Sequence, residues 1–176
     1  MTNDAGREVP DFSVASYSAL TWHDFFMGTI GAAAALTGLL FVAISINLEH
    51  ILKYPQLPGR AAGTLGILVS ALVVSGLALA PGQGNRVLGI EIAATGAIVA
   101  VLAIWVFHGK ETPDQPTSWQ IEHLATLLLP SIALIVGGAS LAEGKGGGLY
   151  WVFAAILLAF VSASINAWVL LVEIKR

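Results

Sequence analysis

The chain has 176 residues, of which 56% are hydrophobic and only 11% charged, with a formal net charge of -3 and no cysteine. Soluble domains carry about 25% charged residues, so a conventional water-soluble fold is excluded, as are disulfides, thiolate metal sites and cysteine nucleophiles. Lys and Arg are scattered singly, which leaves no basic stripe to track phosphates, and nucleic acid is not an expected partner.

Residues 1–23 open with "MTNDAGREVPDFSVASYSAL", which holds more acid than base. Cleavable signal peptides begin cationic, so no removal is expected. A polar tail is the simpler expectation here, with the alternation in "VPDFSVASYSAL" allowing a short interfacial segment.

Residues 24–176 form the expected transmembrane domain. Apolar blocks lie at 25–48, 61–80, 87–107, 121–141 and 149–172, each close to the ~20 residues that cross about 30 Å of hydrocarbon as a helix. The stretches between them, "KYPQLPGR", "PGQGNR", "GKETPDQPTS" and "EGKGGG", are short and rich in turn formers. The expected fold class is therefore all-α: a polytopic bundle of five transmembrane helices in a lipid bilayer, without an extramembrane domain. Trp22, Tyr54, Trp105, Trp119, Tyr150 and Trp151 fall at span ends, where amphipathic rings prefer the headgroup region.

Positively charged residues are retained on the cytoplasmic side. An N-out, C-in chain puts Lys53, Arg60, Lys110, Lys175 and Arg176 inside and Arg7, Arg86 and Lys145 outside, so this orientation is expected.

Helices in lipid associate through close backbone approach and shared polar contacts. The fifth span repeats Ala155, Ala159, Ala163 and Ala167; the second carries Ala62, Gly66 and Ser70, and the third Gly89, Ala93 and Ala97. These small-residue seams suggest self-association. Three spans also show a small or weakly polar stripe that ends in glutamate: Gly31, Ala35, Gly38, Ser45 and Glu49 in the first; Glu122, Thr126, Ala133, Gly137 and Ser140 in the fourth; Ala155, Ala159, Ser162, Asn166 and Glu173 in the fifth. In the expected orientation the three acids share the cytoplasmic end, which would allow the stripes to meet around a polar floor.

Glu91 sits one to two turns inside the third span, with Thr95 one turn further on the same face. Ionisable groups inside a membrane are rare and costly, which makes Glu91 the leading candidate for a proton or cation site; contact with headgroups or with Arg86 is the simpler alternative. Asn166 is a deep polar group suited to bonding between helices. Pro130, near the middle of the fourth span, leaves the carbonyl of Thr126 without its helical donor and predicts a kink or hinge.

Two Glu-His pairs, Glu49-His50 and Glu122-His123, stand at span ends, with His108 at similar depth. Imidazole and carboxylate together suit a transition metal, and His50, His108 and His123 are its candidate ligands. Adjacent residues of a helix point about 100° apart, so such a site needs several spans. Polar side chains reaching to the interface are the simpler explanation. No H-E-x-x-H, G-x-S-x-G, P-loop or GxGxxG motif occurs, so neither an enzyme nor a bound cofactor is expected.

The run "GTIGAAAALTGLLFVAISINLEH" followed by "LPGRAAGTL" resembles small bacterial membrane proteins, which implies a bacterial inner membrane and carries over no functional residue. The expected function is a homo-oligomeric path for a small cation or proton, using Glu91, Thr95, Asn166, Glu49, Glu122 and Glu173. The alternatives are an accessory subunit bound to another membrane protein and a metal-binding membrane protein.

Overall fold

The computed structural model describes residues 12–54, 57–108 and 117–173. In chain order these form α1 (Phe12–Tyr17), a 3-10 turn (Ala19–Trp22), α2 (His23–Ile46), α3 (Leu48–Lys53), α4 (Leu57–Ala78), α5 (Asn85–His108), α6 (Thr117–Glu143) and α7 (Leu149–Glu173). Five of them, α2, α4, α5, α6 and α7, are long and apolar enough to cross a bilayer, so the protein is a multi-pass all-helical membrane protein.

The first span ends at Ile46, slightly before the apolar block does. Asn47 is the cause: its Nδ2 donates to the carbonyl of Ala43 at 2.9 Å, and its backbone leaves the helical region at φ -105, ψ 15. An Asn side chain that competes for backbone carbonyls favours a break, and the chain resumes as the short α3.

α4, α5, α6 and α7 close into a ring in which each packs on the next and α7 returns to α4. α2 lies outside this ring, chiefly against α4. One end of the bundle, the turn end, carries the connections 79–84 and 144–148; the opposite end carries α3. At the turn end α2 also meets α7, where Trp22 stacks edge-on to Tyr150 and Phe25 leans on Phe153.

The ring interior is packed toward the turn end, while toward the α3 end a groove of about 180 Å³ opens between Gly63 and Gly66 of α4 and Val99 and Ala103 of α5 and reaches Leu127. Toward the turn end the interior holds Val74, Leu88, Ile92, Leu134, Val152 and Ile156, and toward the α3 end Ile67, Ala103, Leu127 and Ala159. Two seams bring backbones together. A Cβ on Gly89 of α5 would lie 2.5 Å from the carbonyl oxygen of Gly138 on α6, and one on Gly96 would lie 2.8 Å from that of Ser131. Only glycine permits that approach, which maximises dispersion contact in a medium that offers no hydrophobic exclusion. On the other side of α6, a Cβ on Gly137 would sit 3.0 Å from Val152 of α7.

α1 lies across the turn end and is fastened there. Tyr17 accepts a hydrogen bond from Gly147 N at its hydroxyl (3.1 Å) and from Asn85 Nδ2 at its carbonyl (2.6 Å), while Trp22 Nε1 donates to the carbonyl of Ala15 (2.6 Å). The glycine run of "EGKGGG" makes the fit possible: Gly148 has φ 45, and a side chain there would collide with the carbonyl of Ser16.

Candidate functional site

α2 is the least buried span: 17% of its apolar window is covered, against 50% for α4. Its inward face is Phe26, Thr29, Ala33 and Leu40. The opposite face reads Asp24, Gly28, Gly31, Ala35, Gly38, Val42 and Ser45, all exposed, with exposed Glu49 just beyond the Asn47 break. The spacing alternates four and three, the period of a seam that follows a neighbouring helix along its length. Side chains added at Gly28, Gly31 or Gly38 would meet no atom of this chain within 4 Å.

This placement corrects the expectation that three acid-ended stripes converge. The stripes of α6 and α7 do meet, since Ala133 and Gly137 are buried on α6 and Ala155, Ala159, Ser162 and Asn166 on α7. The stripe of α2 points away from both. Sequence spacing registers which residues share a face but not the direction in which that face docks, and α2 turns its bulkier side inward. The other small-residue seams are taken up in part within the chain: Ala155, Ala159 and Ala163 are buried, Gly89 is covered by α6 and Ser70 is buried in α4, while Ala62 and Ala97 are exposed and a Cβ at Gly66 would meet nothing within 4 Å.

Glu91 is half-buried near the turn end of α5. Its carboxylate accepts a hydrogen bond from Nε2 of Gln83, in the α4–α5 turn. Arg86 is exposed and takes no part; among the described residues the ion pair is His23 with Asp24, 3.3 Å apart on the surface. Thr95 shares the face of Glu91 but donates to the backbone carbonyl of Glu91 at 2.8 Å. Gln83 had no signal in the sequence, because an amide in a turn reads as a turn former.

Asn166 is 2% exposed, and its Nδ2 approaches the hydroxyl of Thr126 on α6 at 3.4 Å. That is one turn from buried Pro130, which α6 accommodates without interruption, and Ser131 donates to the carbonyl of Leu127 at 2.8 Å beside it.

At the α3 end, Glu49 is exposed and His50 half-buried. The ring of His50 lies 5.4 Å from that of Tyr54, and its Nε2 is enclosed without a hydrogen-bond partner. His108, Glu122, His123 and Glu173 fall in helices that reach this end, with side chains outside the described residues. Among the described residues no three His, Asp or Glu side chains gather as a metal would require. Comparison with protein-family models, with curated proteins and with solved structures gives no match to this chain.

Proposed function

We propose that the chain is one subunit of a homo-oligomer of a bacterial inner membrane, joined through the outer face of α2, and that the joint provides a route for a small cation or proton. The observation that carries this reading is a contrast within the molecule. The ring is lined inside by aliphatic side chains toward both of its ends, whereas an uncovered stripe poor in side chains runs the whole of α2 between Asp24 and Glu49. Small residues let helices of neighbouring subunits approach closely. In a symmetric ring each acid is repeated by every copy, and rings of Asp or Glu are how cation pathways are lined. On this reading Asp24 and Glu49 stand at the two mouths, Ser45 lies within, and Glu91, Thr95 and Asn166 serve the packing of the bundle. With the N-terminus outside, Asp24 is the outer acid.

Flux from vesicles containing the full chain tests it. Cation or proton release should exceed that of empty vesicles and fall about tenfold, the effect of ~1.4 kcal/mol on a barrier, when Asp24→Asn and Glu49→Gln are combined. Release equal to that of empty vesicles, or indifferent to the double substitution, overturns the route.

The same face supports a second reading, an accessory subunit that seats α2 on a helix of another membrane protein. A stripe this slender favours close contact with no lumen. Flux is then absent, and Gly38→Leu abolishes co-purification of the partner.

A further inference from the structure

The α4–α5 turn is held to the bundle by one side chain. Pro81, Gly82 and Gln83 form no backbone hydrogen bond among the described residues, and the chain is bonded again at Gly84, whose carbonyl accepts from Leu88 N at 3.1 Å. Pro81, Gly82 and Gly84 are exposed. What ties the turn down is Gln83, whose Nε2 donates to the carboxylate of Glu91. Segments with so few bonds of their own are the ones that open locally.

Glu91 has no cation to balance it. It stands about 9 Å beyond the start of α5 at Asn85, on the face that further along meets α4 at Val99 and Leu102. α4 carries no ionisable side chain between Arg60 and Ala78, and α6 none between His123 and Glu143. At the turn end Arg86, Glu143 and Lys145 are exposed, and Arg86 projects about 140° away from Glu91 round the helix. His23 and Asp24 pair with each other, the Tyr17 hydroxyl is taken by Gly147 N, and Tyr150 stacks on Trp22.

The partner that Glu91 does have suits a neutral acid. An ionised carboxylate only accepts hydrogen bonds, whereas a protonated one also donates. With Glu91 ionised, Gln83 has a single bond through Nε2, and its Oε1 is enclosed without a partner. A proton on Glu91 supplies the missing donor: the acid O–H bonds to Oε1 while Nε2 keeps its bond, and acid and amide share a two-bond pair. An ionised carboxylate in a bilayer, with no cation beside it, gains instead from water, which reaches it when the turn lifts.

We infer that turn 79–84 is a pH-sensitive cap: Gln83 closes it over Glu91 when the carboxyl holds a proton, and ionisation releases it. The device belongs to the α4–α5 hairpin alone and does not depend on assembly through α2.

A nitroxide at Gly84→Cys tests it, at an exposed position where a side chain meets no atom within 4 Å, in the otherwise cysteine-free full chain held in nanodiscs. The label should be immobilised at acidic pH and become mobile in one step as pH rises. With Glu91→Gln, an uncharged side chain that still pairs with an amide, it should stay immobilised at every pH. With Gln83→Ala it should be mobile at every pH, the helical circular dichroism being equal in all three. Infrared difference spectra between the pH limits should show the loss of one protonated-carboxyl band, absent with Glu91→Gln. Mobility in the labelled parent that is independent of pH, or a pH step that survives Glu91→Gln, overturns the proposal.

Discussion

Glycines of this chain do opposite work depending on which side of a helix they occupy. Gly89 lies where a backbone carbonyl of α6 would be 2.5 Å from any added Cβ, and Gly31 lies where nothing stands within 4 Å. The same substitution therefore separates them. Gly89→Val should lower the stability of the folded monomer by about 1–3 kcal/mol, the usual cost of overpacking, whereas Gly31→Val should change it by less than ~0.5 kcal/mol, as surface positions do. Denaturant titration in detergent micelles measures both, and equal effects would contradict the α5–α6 seam. Tyr17 is a second point. Replacing it with Phe removes the acceptor of the Gly147 N–H and should cost ~0.5–1.5 kcal/mol, seen as faster amide exchange at Gly147. Unchanged exchange there would mean that α1 is not fastened by this bond.

At the level of helices, α6 and α7 show how a polar pair settles around a proline. Pro130 denies Thr126 its usual helical donor, and Asn166 approaches the Thr126 hydroxyl from the neighbouring helix. Interhelical hydrogen bonds in membranes are modest, ~0.6 kcal/mol on average and ~1.7 at most, so Asn166→Ala should destabilise the bundle within that range in the same titration, and a loss well above it would assign Asn166 a larger part. The presence of five apolar spans was readable from the sequence, because lipid demands about 20 apolar residues per crossing, and Asn166 stood out there as a polar group suited to bonding between helices. The stripe on α2 was readable too, as a repeat of small residues. Its direction was not: Gly31, Ala35 and Gly38 look like Gly89 and Ala93 when only spacing is seen, and the inward set of Phe26, Thr29, Ala33 and Leu40 keeps the same three-and-four spacing, so period alone does not say which face docks. Nor does any local signal tie Gln83 to Glu91, since the contact depends on how the α4–α5 turn folds back over α5.

The whole molecule is a closed ring of four helices with a fifth hung on its outside. Among the described spans α2 has the smallest buried share, 17% against 28% for α5, and its bare side is the face that the proposed assembly uses. The absence of cysteine from the sequence allows single cysteines to report on that arrangement without background. Oxidative cross-linking of the full chain in native-like bilayers should join pairs of subunits through Gly31→Cys and Gly38→Cys on the bare side and not through Ala33→Cys on the buried side, where relative exposure is 0%. Cross-linking through Ala33→Cys, or none at Gly31→Cys and Gly38→Cys, would contradict assembly through α2.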